Sequence, residues 1–347
     1  MACGGLLFAC LNESRSCPGG INGDSGGNKE LPMTTLAQWL KSETDDLALQ
    51  SVIASMAAAS AELSGVLRVA PIAGQTGLAG HTNVQGEAQK ALDVISNDIV
   101  LKHLRENAAV ATLISEELDD AVQLGTGGAY IVATDPLDGS SNLDVNVTVG
   151  TIFSVLKSAG GLLQKGRAQA AAGYVAYGPA TSLVVRIAGA VSVFTLDAEG
   201  QWEQVVVAAK VPEASGEFAI NTARERFWDA ATTGYVQESV AGETGRAGKR
   251  YNMRWVGSMV ADIHRILMRG GIFLYPLDSE TVSKGGRLRL LYEANPMSWL
   301  IEGAGGLATT GRQGILDIEP SGIHQRVPVI LGSAEEVRRA EAWYAKT

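Results

Sequence analysis

The sequence predicts an α/β protein of the layered, α+β kind, and three stretches carry that expectation. An apolar stripe at helical spacing runs through residues 49–67, short alternating segments separated by turn residues extend from about 143 to 207, and strands alternate with helices beyond about 210. Helices, then antiparallel hairpins, then mixed elements read as helices layered on sheets. At 347 residues, 46% of them hydrophobic, the chain is long enough for two domains, each with its own core. The expected division is a leader over 1–30, an α+β domain over 31–209 and an α/β domain over 210–347.

Residues 1–30 are rich in Gly, Ser and Asn without periodicity and are expected to be a disordered leader. No basic segment precedes Leu6-Leu7-Phe8, which argues against a secretory signal, and Glu13, Asp24 and Glu30 argue against a transit peptide. The cytosol is the expected compartment, with the plastid stroma as the alternative. All three cysteines, Cys3, Cys10 and Cys17, fall in this leader; their spacing fits no zinc pattern and an odd count fits no disulfide framework. A net charge of -9 argues against nucleic acid as the main partner. No apolar run approaches the length of a membrane span, so a soluble protein is expected.

Asp45-Asp46 supply helix caps, and Leu49, Val52, Ile53, Met56, Leu63, Val66 and Leu67 mark one helical face. Pro71 to Gly86 is glycine-rich and almost uncharged, which predicts a mobile loop. Glu87 and Asp93 follow, six residues apart, so a helix through Leu92, Ile95 and Ile99 should begin between them. Glu116-Glu117 come after the apolar pair Leu113-Ile114, whereas Asp119 and Asp120 read as surface charges.

Tyr130 to Ala133 reads as a buried strand with Asp135 at its carboxyl end, and Pro136 is expected to stop the ladder. In Thr134-Asp135-Pro136-Leu137-Asp138-Gly139-Ser140-Ser141-Asn142 the two carboxylates can aim at one point. Gly139 frees the backbone to turn, and the amides of Gly139, Ser140 and Ser141 can form a nest for an oxyanion such as phosphate. The stretch reads as a hard-metal site beside a phosphate cradle. Each dipeptide alone is an ordinary turn signal.

Leu143 to Val149 alternates and predicts a strand leaving this site; further strands are expected at 183–187, 191–196 and 202–207. Later elements are strands at 218–220, 271–275, 287–292 and 327–331, and helices at 224–237, 258–268, 295–303 and 334–344.

The complete nine-residue run resembles the signature of fructose-1,6-bisphosphatases, within the Mg²⁺-dependent, lithium-sensitive sugar and inositol phosphatases. The resemblance extends from about Leu36 to the C-terminus. It is dense at Leu92 to Asp98, Ser115-Glu116-Glu117, Gly150 to Phe153, Val256 to Asp262, Gly270 to Pro276, Leu288 to Glu293 and Ile323 to Arg326. It implies the sugar phosphatase fold, stacked α/β/α/β/α layers in two domains, and hydrolysis of the 1-phosphate of fructose 1,6-bisphosphate in gluconeogenesis or the Calvin cycle. By the same resemblance the metal ligands are Glu87, Glu116, Glu117, Asp135, Asp138 and Glu293 with the Leu137 carbonyl, for two to three Mg²⁺ ions, Mn²⁺ being possible. Oxygen donors without His or Cys suit those ions. Asp93 and Glu117, with Glu87, would position and activate the attacking water. The 1-phosphate would rest on Gly139, Ser140 and Ser141, and the sugar on Asp138, Ser258 and Met259. Asn221, Tyr275, Arg287 and a neighbouring subunit's Arg254 would hold the distal phosphate, which implies an oligomer, in this family a homotetramer.

Phosphate monoester hydrolysis demands accelerations of up to ~10²¹, of which one general base supplies about 10² to 10⁴. Positioning and charge stabilisation by divalent ions must supply most of the rest, and water is expected to attack directly, without a phosphoenzyme. Trp255 and Arg224 stand where the family has tyrosines and Arg287 where it has lysine, so an added guanidinium at Arg224 is expected to tighten the hold on phosphate. Sedoheptulose 1,7-bisphosphate is the alternative substrate. Ala129, Lys157 and the stretch from Asp46 to Gln50 depart from the family's AMP site, and the cysteine insertion of light-regulated members is missing between Glu117 and Tyr130. Insensitivity to AMP and thioredoxin is implied. A reading from a different class, a catalytically dead binding protein on this fold, requires lost ligands, and every expected acid is present. His81, His103, His264 and His324 are read as structural.

Overall fold

The computed structural model describes residues 34–75, 78–82 and 88–347. The expected leader, its three cysteines and Glu87 lie outside the described residues, as does the side chain of His81.

Helix α1 (Leu36–Glu43) starts at a capping box in which Thr35 and Gln38 exchange bonds of 3.3 and 2.9 Å. Helix α2 (Leu47–Val69) is capped by Asp46, whose carboxylate accepts from the Leu49 N–H at 3.0 Å. By length and composition α2 could cross a membrane, contrary to the sequence expectation that no such run exists. Its Val52, Ile53, Met56 and Leu63 are instead buried in the core, each contributing about 1.5–3 kcal/mol. Strands β1 (Leu78–Thr82) and β2 (Ala88–Lys90) pair antiparallel, so part of the expected mobile loop is a strand. Helix α3 (Ala91–Arg105) begins after Glu87 and before Asp93, as the spacing predicts.

An eight-stranded sheet follows: β3 (Val110–Ser115), β4 (Val122–Gln123), β5 (Tyr130–Asp138), β6 (Val149–Lys157), β7 (Gln169–Tyr177), β8 (Thr181–Arg186), β9 (Val191–Leu196) and β10 (Trp202–Ala209). Its order is β10-β9-β8-β7-β6-β5-β3-β4, with β3 parallel to β5 and the remaining pairs antiparallel. Pro136 interrupts the ladder without ending it: Asp135 faces Ile152, Asp138 faces Gly150, and the register shifts between them. The bulge absorbs the missing Pro136 N–H and re-aims the chain.

The rest of the chain contributes β11 (Glu217–Ala219), helix α4 (Ala230–Ala241), β12 (Asn252–Met253), helix α5 (Met259–Arg269), β13 (Ile272–Tyr275), β14 (Leu288–Arg289), helix α6 (Asn295–Gly303), β15 (Leu307–Thr309), β16 (Arg326–Val327), β17 (Val329–Gly332) and helix α7 (Ala334–Tyr344). Strands β12-β11-β13-β17-β15 form a second sheet, and β14 pairs with β16. Three expectations change here. Leu143 to Val147 belongs to a 3₁₀ turn (Ser140–Val145) and the coil after it, where Val145 and Val147 are exposed and their alternation has no buried face. The helix expected from Arg224 splits into a 3₁₀ turn (Thr222–Phe227) and α4, because Asp229 recaps the chain by accepting from the Thr232 N–H. The strand expected over 287–292 shrinks to β14, and Leu290–Ala294 coils into a π-helical turn that runs straight into α6.

Alternate residues along the strands point to different cores, and this defines the layers. Phe153 and Val155 of β6 pack with α1, α2 and α3, while Ile152 of the same strand packs with Val260 and Ile263 of α5 and Met297 of α6. Phe273 of β13 and Leu331 of β17 close that second core from below. Phe218, Ile272 and Ile330 face the opposite way, against Tyr235 of α4 and Val337 of α7. The order is helix, sheet, helix, sheet, helix, the architecture expected.

Candidate active site

The carboxyl end of β5 meets the amino end of α5, and the site is built at that junction. Every residue of β5 is buried, so its sequence must carry Asp135 and Asp138 into the interior. The Asp135 carboxylate accepts from the Leu137 N–H at 3.0 Å, folding the chain around Pro136, whose carbonyl takes the Thr151 hydroxyl at 2.8 Å. Asp138 accepts from the Ser258 hydroxyl at 2.6 Å and from the Val260 and Met259 N–H groups at 2.9 and 3.3 Å. A helix start is where a carboxylate is best placed, since its first N–H groups have no partner within the helix. Gly139 then turns at φ 73°, and a Cβ there would lie 2.6 Å from the Ser258 Cβ. Both facts demand glycine.

Glu293 comes from the π-helical turn, whose extra residue per turn brings it to the cluster. Ligand oxygens of Asp135, Asp138 and Glu293 lie within 4.8 Å of one another. Burial, then the neighbouring Glu116, Asp138 and Glu293 charges, holds the Asp135 carboxyl well above its usual range. Burial also raises Asp138 against the pull of its three hydrogen bonds, and burial with Glu116 pushes Glu293 up to about 8 despite Arg289. Clustered buried acids of this kind fit a divalent cation: all donors are hard oxygens, none is His or Cys, and their mutual repulsion is what a cation relieves.

The structure brings most of the predicted residues to one cavity of about 270 Å³. Asp93 from the first turn of α3, Glu116 and Glu117 after β3, and the β5 acids with Leu137 line one end. Gly139, Ser140 and Ser141 form the adjoining wall at the start of the 3₁₀ turn, with Ser258 and Met259 beside them. Tyr275 and Arg287 line the cavity too, with the Arg287 guanidinium 6.0 Å from the Tyr275 ring centre. Two of the predicted residues that the structure describes are not among its lining. The Asn221 side chain accepts from the Ala223 N–H at 3.1 Å, and Arg254, its side chain 55% exposed, points toward Glu217 at 3.9 Å.

Arg289 was missed by sequence reasoning. It is buried in the same cavity, 3.0 Å from the Glu116 carboxylate, and its N–H donates to Glu293 at 2.5 Å. One cation inside the apolar run Leu288 to Leu291 was the available signal, because a buried arginine requires an acid partner. Trp255 also lines the cavity and stacks on Phe273 at 5.8 Å and 11°. The expected role of Arg224 is not supported by its placement: its guanidinium is paired with Asp278 and Glu280 at 2.7 and 3.1 Å. The histidines of the described side chains are structural as expected: His264 meets the Tyr174 hydroxyl at 3.0 Å, His324 that of Tyr292 at 2.8 Å, and His103 the Glu62 carboxylate at 2.7 Å.

Five alternating layers with a buried acidic cluster at the junction of the middle elements define the sugar phosphatase class of α/β folds. Comparison with known proteins narrows this. Family models for the N-terminal and C-terminal domains of fructose-1,6-bisphosphatase match residues 31–206 and 211–345. The class 1 fructose-1,6-bisphosphatase of Neisseria meningitidis serogroup B is 51% identical over 305 residues, 86% of this chain and 94% of its own length. That of Shewanella woodyi is 49% identical over 88% of this chain and 95% of its own. The crystal structure of Leishmania major fructose-1,6-bisphosphatase in holo form superposes with a TM-score of 0.86 at 33% identity, covering 90% of this chain and 99% of that one. The chain belongs to the fructose-1,6-bisphosphatase family.

Proposed function

We propose that this chain hydrolyses the 1-phosphate of fructose 1,6-bisphosphate to fructose 6-phosphate and inorganic phosphate. The observation that carries the reading is the Asp135, Asp138 and Glu293 cluster facing the Gly139 to Ser141 turn, in a cavity lined further along by Tyr275 and Arg287. Asp135, Asp138, Glu116, Glu117, Glu293 and the Leu137 carbonyl, with Glu87, would hold two to three Mg²⁺ or Mn²⁺ ions, which supply charge neutralisation and polarisation of the phosphoryl oxygens when bound. Ser140 and Ser141 with the turn amides orient the scissile phosphate. Asp93 and Glu117 orient the attacking water and take its proton. Ser258 and the first N–H groups of α5 keep Asp138 from turning away, and Arg287 supplies the positive charge for the distal phosphate. The division of labour between residues 31–209 and 210–347, a homotetramer in which Arg254 serves a neighbour, and a cytoplasmic setting are parts of the same proposal.

The test is a panel of fructose 1,6-bisphosphate, sedoheptulose 1,7-bisphosphate and inositol phosphates, with Mg²⁺ and with chelator. Fructose 1,6-bisphosphate should give the highest kcat/KM, and chelation should abolish phosphate release. Preference for inositol phosphates, or a trapped phosphorylated Ser140 or Ser141, would sink the reading.

AMP insensitivity has physical support as well. The amino end of α2, where a phosphate could dock on free N–H groups, already holds the Asp46 carboxylate, which also accepts from the Tyr130 hydroxyl. AMP at micromolar concentration is expected to leave the rate unchanged, and half-inhibition in that range would refute this.

A further inference from the structure

We propose that Arg224 and Asp278 form a lock that positions Asn221 at the distal end of the cavity, and that Arg224 does not itself touch the substrate's phosphate. The inference rests on the sugar-bisphosphate reading above. It begins with the register of the second sheet. Strands β11 and β13 are parallel, with Ala219 opposite Phe273, so the chain leaving β11 reaches Asn221 beside the point where β13 reaches Tyr275. Asn221 is then the cap of the 3₁₀ turn Thr222–Phe227, and its side-chain oxygen accepts from the Ala223 N–H at 3.1 Å. That bond fixes the amide so that its NH₂ group is the end left to donate.

Arg224 sits in the same turn and is not among the residues that line the cavity. Its Nε and Nη2 are each 2.7 Å from Asp278 Oδ2, and Nη2 is 3.1 Å from the Glu280 carboxylate. The Arg224 side chain is 17% exposed and that of Asp278 only 3%. The other Asp278 oxygen accepts from the Glu280 and Thr281 N–H groups and the Thr281 hydroxyl, at 3.1, 2.9 and 2.9 Å. The main chain ties the same two segments, through Ser279 N–H to the Phe227 carbonyl at 3.0 Å and a bridge between Trp228 and Asp278. The turn that carries Asn221 is thus fastened to the segment that follows Tyr275. For Arg224 to reach a phosphate it would have to abandon a buried carboxylate, which is strongly unfavourable, and the two acids beside it cancel its attraction for an anion. Positive charge for the distal phosphate is left to Arg287 within the chain.

The experiment compares wild type, Arg224→Met, Arg224→Lys, Asp278→Asn and the Arg224→Met/Asp278→Asn double variant, each assayed well below its melting temperature. With fructose 1,6-bisphosphate, Arg224→Met and Asp278→Asn should each raise KM about tenfold, the scale lost when a supporting partner is removed, with kcat nearly unchanged. Arg224→Lys should recover part of the loss, and the double variant should be no worse than either single one. Turnover of fructose 1-phosphate, which lacks the distal phosphate, should be unaffected. A KM rise in Arg224→Met without one in Asp278→Asn would overturn the lock in favour of direct contact. An unchanged KM in both, or an equal loss on fructose 1-phosphate, would also overturn it. Wild type that hydrolyses no fructose 1,6-bisphosphate would overturn the functional reading, and the lock's role with it.

Discussion

Asp138→Asn is expected to lower kcat/KM by more than about 100-fold, the upper end of the range for partners that merely support a metal ligand. Such a loss is about 2.7 kcal/mol of transition-state stabilisation. The fold should survive. The asparagine oxygen can take the place of the one Asp138 oxygen that accepts from both the Ser258 hydroxyl and the Val260 N–H, so only the 3.3 Å bond from the Met259 N–H loses its acceptor. Loss of one negative charge also relieves repulsion with Asp135 and Glu293. Asp138→Ala should be inactive for the same reason and less stable, since it orphans the Ser258 hydroxyl and two N–H groups at the start of α5, each worth on the order of 1–3 kcal/mol when left unsatisfied in the interior. Phosphate release with Mg²⁺, alongside thermal melting, checks both variants. Asp138→Asn that keeps more than a tenth of the wild-type rate would remove Asp138 from the reaction.

Some of this was legible because it is local. The α2 stripe from Leu49 to Leu67 is written in one stretch of sequence, and so is the turn from Asp135 to Asn142, where carboxylate spacing and Gly139 speak for themselves. Alternation misled at Leu143 to Val149, because an exposed 3₁₀ turn and a half-buried strand share that pattern and only tertiary packing decides between them. The turn after β14 was hidden for a related reason: Leu290 to Ala294 is buried all round, and a fully buried run does not reveal its period. Arg289 and Arg224 show the deeper limit. One is held by Glu116 and the other by Asp278, partners that lie far away in sequence or on the next strand's exit. Whether an arginine faces an anionic substrate or a protein carboxylate is decided by that partner, which a single chain of letters does not display.

The protein stripped of divalent ions should lose thermal stability as pH rises from about 6.5 to 8, and Mg²⁺ should restore more of it at pH 8 than at pH 6.5. Glu293 titrates at about 8 in the folded chain against 4.5 when free, with burial as the main cause and Glu116 next. A raised folded value means that the native state holds a proton which the unfolded chain has released throughout this window. Stability from that difference is fully present below the unfolded value and is lost as pH climbs through about 8. Asp135 and Asp138 are displaced in the same direction. Asp262, raised to about 6, adds a slope of the same sign at lower pH, whereas His264, held below its ordinary value by burial, opposes it there. Starting at pH 6.5 leaves the acidic cluster as the dominant contributor. A cation at the cluster replaces the retained proton, so its binding should release protons and strengthen as pH rises. At a concentration 100 times its dissociation constant it would add about 2.7 kcal/mol. Melting curves in chelator and in Mg²⁺ across this range, with Glu293→Gln as the control that flattens the slope, test the argument. A flat profile in chelator, or equal Mg²⁺ shifts at the two pH values, would show that the three carboxylates are not the protein's cation site.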